Sequence, residues 1–311
     1  MKTLEECSVV ICTAANSRYF PLVAGLVESL RRGRIARKWS FGVLDVGLDQ
    51  AQREWLTERG AYIAAPEWDV DFPYRDKVPG HYKAMASRPH LPRYFAGFDL
   101  ILWIDADAWV QDDAILFNFL RAAHGGKLAI VPEYDRCYSL AYKAPRLWGH
   151  NQRSFAWSFG LRAGYRYGRN PVLNAGIFAL ASDAPHWAAW AAAHQASLKR
   201  KRRGDFTRDF RFFLSEQTAL NYVVFAEKLP ATFLPATANW VCGLGLPMWD
   251  NERGFFVEPH EPHAPLSVVH LAGPGIKEKS WTLQTLDGGT IETRLTFEAF
   301  ESLHAKVQKK A

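Results

Sequence analysis

An open, mostly parallel α/β sheet with flanking helices and a small C-terminal hairpin and helix extension is the fold class this sequence predicts. Three observations point to it. Apolar runs and amphipathic segments alternate from the first residues. The strongest runs, Val9-Val10-Ile11 and Leu100-Ile101-Leu102-Trp103-Ile104, lack the polar alternation of a half-exposed strand and read as strands buried on both faces. The 311 residues, 48% of them hydrophobic, can bury a sizeable core.

In chain order, Ser8 to Thr13 reads as the first buried strand and Ala14 to Tyr19 as a loop. Pro21 suits a first helical turn, and Leu22, Leu26, Ser29 and Leu30 recur at helical spacing. Trp39 to Val46 reads as a strand, Gln50 to Arg59 as a helix stopped by Gly60, and Tyr62 to Ala65 as a strand. A loop over Glu67 to Gly80 leads to a helix-like stretch, Tyr82 to Phe95, broken at Pro89 and Pro92. Strands follow at Leu100 to Ile104 and Leu128 to Val131. Glu133 to Pro171 reads as a long loop with short elements. Val172 to Leu180 returns to strand, Ala184 to Lys199 and Glu216 to Phe225 to helix, and Ser267 to Leu271 to strand. Trp281 to Leu286 and Thr290 to Thr296 flank Asp287-Gly288-Gly289, a hairpin signal, before a short basic helix from Phe297. No repeat or linker splits the chain.

A formal charge of +6 favours phosphorylated ligands or an anionic membrane face and is too small to imply nucleic acid. The surplus sits in Lys199 to Arg203 and the tail Lys306 to Lys310. At a helix end the first cluster complements the macrodipole; contact with anionic lipid is the second reading. Cys7, Cys12, Cys137 and Cys242 show no metal-knuckle spacing and read as reduced thiols. With no signal peptide or ~20-residue apolar span, a cytoplasmic protein is expected.

Asp105-Ala106-Asp107 carries the chemistry. Residues two apart on extended backbone face the same side, and paired carboxylates repel unless a cation lies between them. They follow an apolar strand, at the carboxyl edge where open α/β sheets bind ligands. A divalent cation bridging to a diphosphate answers the repulsion. The bland alternative is a solvated strand end with capping acids; the long apolar run before the pair favours the cation. His270 ends a late strand and offers a third ligand, with nitrogen favouring Mn²⁺ over Mg²⁺. Gly273 to Lys279 combines backbone amides with lysines suited to phosphate.

These blocks resemble the GT-A glycosyltransferases, most closely the family 8 type that includes glycogenin and bacterial galactosyltransferases. Five blocks stand in the family's order: Ile11 to Tyr19, Leu102 to Asp107, Leu173 to Phe178, Ser215 to Asn221, and His270 onward. The resemblance implies one GT-A-like domain over 1–311. A nucleotide half would span about 5–130, a sugar and acceptor half about 131–275, and an extension about 276–311. It places Thr13, Ala14, Asn16 and Tyr19 by uridine, and Arg88, Asp105 and Ala106 by the donor. It makes Asp105, Asp107 and His270 the metal ligands, with Gly273 and Lys277 or Lys279 on the diphosphate. Asn174 and Glu216 would hold the sugar, and Gln217 would lie by the reacting carbon. Glu216 stands where the family has Asp. Ile276 to Ser280 departs from the family's Lys-Pro-Trp, and Lys279 best keeps the spacing to Trp281. Lys83 lies near Arg88, and a solvated helix face fits each of them equally well.

The implied activity is metal-dependent transfer of a hexose from a UDP-sugar, with retention, to a saccharide, lipid-linked or protein acceptor. A Mg²⁺-dependent haloacid-dehalogenase-type phosphatase also uses Asp-x-Asp, but normally near the N-terminus. A nucleotidyltransferase would want glycines in the loop at 14–19, which has none. A non-catalytic basic binding protein is the remaining reading. Tyr138, Tyr142, Trp148, Trp157, Tyr165 and Tyr167 serve equally as an acceptor wall or as core. His260 and His263 read as loop residues.

Overall fold

The computed structural model describes residues 2–138 and 144–309, and the side chains of 144–148 fall outside that description. Tyr142 and Lys310 lie outside the described residues, as does the Trp148 side chain. The chain opens as β1 (Val9–Ala15), α1 (Phe20–Arg32), β2 (Ser40–Asp45), α2 (Gln50–Glu58) and β3 (Ala61–Ala64). Asp49 caps α2: its carboxylate accepts from Gln52 N–H, while the Gln52 side chain answers the Asp49 amide. The interrupted helix breaks into short pieces, including α3 (Lys83–Ser87) and α4 (Leu91–Tyr94), before β4 (Leu100–Ile104).

Then come β5 (Ala108–Val110), α5 (Ala114–His124), β6 (Leu128–Pro132), α6 (Ala144–Phe159), α7 (Leu161–Tyr167), β7 (Leu173–Ala181), α8 (His186–Lys199), α9 (Phe210–Phe213) and α10 (Ser215–Phe225). The central sheet, completed by β8 (Ala231–Phe233), runs β3-β2-β1-β4-β7-β6-β8. All neighbours are parallel except β7, which opposes both β4 and β6. β4 is buried at every position, as its unbroken apolar run requires. The chain winds outward from β1 to β3, then returns to place β4 on the other side of β1. That reversal opens a crevice at the carboxyl ends of β1 and β4.

The last quarter of the chain closes over this crevice. It contains β9 (Trp240–Val241), β10 (Met248–Asp250), β11 (Phe255–Val257), β12 (Val268–His270), the hairpin β13 (Trp281–Gln284) and β14 (Thr290–Thr293), and α11 (Phe297–Gln308). β12 pairs antiparallel with β5, matching His270 to Ala108, and parallel with β9. Trp109 on β5 packs against Phe256, Phe297 and Phe300 and donates its indole N–H to Leu295 O at 2.8 Å. Among the described residues, no helix is long and apolar enough to cross a membrane. All four cysteines are free.

The segment expected as a long loop is mostly helix. Gly164 and Gly168, which look like breakers, are contact residues: a Cβ at Gly164 would lie 2.7 Å from Gln152 O and 2.9 Å from Ala156 Cβ. Their spacing of four puts them on one face of α7 and its C-cap, where they let it lie against α6. The helix α5 and the strand β5 directly after Asp107 also escape the sequence pattern. The basic cluster does serve helix ends. Arg200 donates to Ala156 O, and Arg202 donates to Trp157 O and Ser197 O, so both α6 and α8 receive cations at their C-termini.

Gln111, just past β5, ties the two regions together. Its amide donates to Phe256 O (2.9 Å) and Leu266 O (2.6 Å) and accepts from Phe256 N–H (2.8 Å). Gln111→Ala leaves three backbone groups without that partner and should cost about 2 kcal/mol, read as a lower urea midpoint at unchanged slope.

Candidate metal and donor site

β4 delivers Asp105 to the crevice, where its N–H donates to Gly176 O at 2.7 Å. The backbone then turns, with Ala108 N–H donating to Asp105 O at 3.0 Å. Asp105 and Asp107 are therefore not two residues of one extended strand, as the sequence argument assumed. The turn between β4 and β5 brings the carboxylates together, and Leu271 N–H on Asp107 O (2.8 Å) fixes its far side. Oxygens of both carboxylates and a ring nitrogen of His270 lie within 4.8 Å of one another. His270 Nε2 is 3.4 Å from Asp107 Oδ1 and 3.8 Å from Asp105 Oδ2. Gly176 floors the group: a Cβ there would strike His270 Cε1, Asn174 Oδ1 and Asp105 Oδ2.

A buried chain of amides fixes the imidazole. Asn174 Nδ2 donates to Glu133 Oε1 at 2.6 Å, and Asn239 Nδ2 donates to Asn174 Oδ1 at 2.9 Å. That leaves Asn239 Oδ1, an acceptor, 3.0 Å from His270 Nδ1, so Nδ1 carries the proton. In the neutral ring the Nε2 lone pair then faces the two carboxylates, the arrangement a ligating histidine needs. Two hard oxygens and one oriented nitrogen fit a divalent cation.

The pair is also met by fixed cations. The buried Arg88 guanidinium bridges Asp105 and Glu216, its Nη1 3.0 Å from Glu216 Oε2, and lies over the Trp103 ring. Trp103 Nε1 donates to Asp105 Oδ1 at 2.7 Å. Lys277 meets Asp107 and lies 3.4 Å from Tyr19 Oη. Burial alone would raise the Asp107 carboxyl, but His270 and then Lys277 outweigh it and hold it well below the usual range. Burial lowers His270, and Asp107 reverses that to leave it raised. Burial pushes Glu216 up to about 7, opposed by Arg88 and reinforced by Asp105. Burial also raises Glu133, against its bond from Asn174.

The structure separates the two candidate lysines. Lys277 reaches the pair, whereas the Lys279 ammonium sits over the Trp281 ring, 4.4 Å from its centre. Spacing to Trp281 favoured Lys279, but the turns between Gly273 and Ser280 point the earlier lysine inward. Thr13 is fully buried, with a hydroxyl that lacks a hydrogen-bond partner. Ala14 and Asn16 are half-buried, and Asn16 Oδ1 accepts from Tyr19 N–H at 3.1 Å. Gln217 Oε1 accepts from Ala175 N–H at 2.9 Å. Arg88 is buried at the pair, while Lys83 lies 5.8 Å from the Trp68 ring centre. His263 stays apart, with Nδ1 donating to Glu258 O.

Two cavities flank the group. One, about 940 Å³, includes Tyr19, Ala106, Asp107 and Lys277 in its wall. The other, about 380 Å³, includes Glu133, His150, Ser154, Phe210, Gln217 and Gly273. The positive φ of Gly273 and its close packing on Gly243 account for glycine there. Asp135, Cys137 and Glu258 form a second group within the same reach, where Arg136 already meets Glu258 at 2.6 Å. Glu133, Trp103 and Asn239 also belong to the group, and no motif in the sequence contains them as site residues. Glu133 stands just past β6 and was open to the strand-edge argument used for Asp105. Nothing in Thr237-Ala238-Asn239-Trp240 marks the asparagine.

No protein-family model matches the chain, and no curated protein matches its sequence. Solved structures do match its shape. An active-site mutant of LgtC superposes with a TM-score of 0.55 at 15% identity, covering 96% of this chain and 95% of that one. The galactosyltransferase LgtC in complex with donor and acceptor sugar analogs gives 0.51 at 16%, with the same coverage. The bifunctional glycosyltransferase WbbM gives 0.54 at 12%, covering 100% of this chain and 53% of that one. The chain thus has the GT-A fold of these glycosyltransferases, a mixed α/β architecture on a mostly parallel sheet.

If the group holds a divalent cation, Asn239→Ala should weaken that binding roughly 10- to 100-fold by calorimetry while the fold persists. A second outcome concerns pH. Glu216, raised to about 7 from an ordinary 4.5, holds more protons folded than unfolded between those values. Its contribution to stability therefore falls as pH rises through that window. Urea midpoints of Glu216→Gln should lack this component when compared with the parent chain from pH 4.5 to pH 7.

Proposed function

We propose that this chain is a retaining, family 8-like hexosyltransferase that takes its sugar from a UDP-linked donor and requires a divalent metal, Mn²⁺ by preference for the nitrogen ligand. The convergence of Asp105, Asp107 and His270 at the switch point of a glycosyltransferase fold carries the reading. Those three side chains would hold the metal, which when bound supplies positive charge to the departing diphosphate. The solved LgtC complex with donor and acceptor sugar analogs supports both partners.

The residues divide the work. Tyr19, with Thr13, Ala14 and Asn16 at the end of β1, takes the nucleoside in the larger cavity. Lys277 exchanges Asp107 for a phosphate oxygen, and the Gly273 backbone lies nearby; Lys279 has no part in this. Arg88, Asn174 and Glu216 hold the sugar, with Ala106 lining its approach. Gln217 presents a dipole to the positive charge growing at the anomeric carbon. The carbon–phosphate oxygen bond breaks as the acceptor oxygen bonds to the same face, and the acceptor proton passes to the leaving phosphate. No protein nucleophile is required. The smaller cavity, beside Gln217, receives the acceptor.

The division near residues 130 and 275 follows this split between nucleotide, sugar and closing segments. A cytoplasmic setting at an anionic membrane face suits the basic surface. The phosphatase alternative is disfavoured because the matched folds are glycosyltransferases; Arg88 and Trp103 occupy Asp105 Oδ1 and leave Oδ2, toward His270, for the cation.

UDP with Mn²⁺ at a hundredfold excess over Kd should raise the melting temperature by about 5 °C. The Asp105→Asn, Asp107→Asn double variant should lose that shift and all Mn²⁺-dependent UDP-sugar hydrolysis. Undiminished hydrolysis by the double variant would sink the proposal.

A further inference from the structure

The stretch of chain from α6 to α9 carries a charge imbalance that the transfer reading does not use. Residues 144–211 hold twelve Lys and Arg against three Asp and Glu, while the rest of the chain is net negative. From Arg136 to Ser182 there is no acidic residue at all. Within that acid-free stretch, α7 and the residues after it expose one stripe. Leu161, Arg162, Tyr165, Arg166 and Arg169 are exposed, whereas Ala163, Gly164 and Gly168 face inward. The positions follow i, i+1, i+4, i+5 and i+8, one face of a helix.

Leu161 is 84% exposed and Tyr165 76%. Single exposed apolar residues are ordinary. An adjacent leucine and tyrosine rimmed by three arginines, none of which is ion-paired among the described residues, select a partner with negative charge outside and hydrocarbon beneath. An anionic bilayer has both layers. A nucleic acid has the charge, but it offers a convex helical ridge no hydrocarbon for Leu161. The basic cluster extends the surface: Arg200 lies against Gly160 at the foot of α7, and Lys199, Lys201 and Arg203 are exposed beside it.

We propose that the α7 stripe seats the chain on an anionic lipid bilayer, with Leu161 and Tyr165 entering the interface and Arg162, Arg166 and Arg169 meeting lipid headgroups. α6 links this stripe to the smaller cavity. His150 near that cavity and Gly160 at the foot of α7 are ten residues apart, about 15 Å of helix. Phe210, 62% exposed, stands in the cavity wall against His150. The seating therefore brings the cavity close to the lipid surface, where a saccharide carried on a membrane lipid would be met. Only this last consequence rests on the transfer reading; the docking does not.

Flotation with phosphatidylcholine vesicles, with and without about one-third phosphatidylglycerol, tests the surface. The full chain should float only with the anionic vesicles, and less as salt rises. Arg162→Gln, Arg166→Gln and Arg169→Gln together should lower partition on the order of 100-fold, at roughly fivefold per charge. Leu161→Ser with Tyr165→Ser should also release the chain. Lys306→Gln with Lys309→Gln, on α11 and just beyond it, should change little. Equal binding to neutral vesicles, unaltered binding of the α7 variants, or loss through the α11 pair alone overturns the docking. So does preferential binding of single-stranded RNA over vesicles. Every α7 variant should keep the UDP and Mn²⁺ thermal shift, which verifies folding. Absence of that shift in the parent chain defeats the transfer reading and leaves the flotation result standing.

Discussion

Two carboxylates held within a few ångströms in a mostly buried crevice repel strongly, and the structure around Asp105 and Asp107 is organised to answer that repulsion. At such separations opposite charges at low effective dielectric interact far more strongly than they would in water. The answer comes from three directions. Arg88 reaches Asp105 from the segment before β4, Lys277 reaches Asp107 from beyond β12, and His270 faces both from β12 itself. Each arrives on a different element, so the charge balance of the pair and the assembly of the domain are the same problem.

The fold supplies the positions economically. The reversal between β1 and β4 makes the crevice, β5 offers an edge for β12, and Gly176 leaves room for the imidazole where any side chain would collide with it. The amide chain from Glu133 to His270 acts behind this front row. It uses each group in one direction only, so a misplaced amide would leave a buried donor facing a donor.

Much of this was legible in the sequence because short apolar runs rich in Val, Ile and Leu suit strands buried on both faces, and an acid pair after such a run lands at the ligand edge. The opening strand and helix alternation and the hairpin at Asp287-Gly288-Gly289 were readable for the same local reasons. What failed was non-local. Gly164 and Gly168 punctuate a loop until α6 is there to pack against them. The inward lysine depends on turns that spacing does not encode. Asn239 has meaning only through side chains far from it in the chain. The two aspartates meet across a tight turn and not along an extended strand, a geometry that a spacing of two does not distinguish.

The pairing of β5 with β12 joins residues more than 150 positions apart. Closing so long a loop costs chain entropy before any contact rewards it, which makes such pairings slow. During synthesis at roughly 5–20 residues per second, the strands β1 to β4 emerge many seconds before His270 exists. Until then the nascent chain must carry Asp105 and Asp107 with only Arg88 and the Trp103 indole to meet them, and the acid pair lacks the residues that close over it from β12 and beyond. The candidate cation centre is thus completed only late in biogenesis: a ribosome-bound fragment can have the whole central sheet while its site still lacks His270 and Lys277.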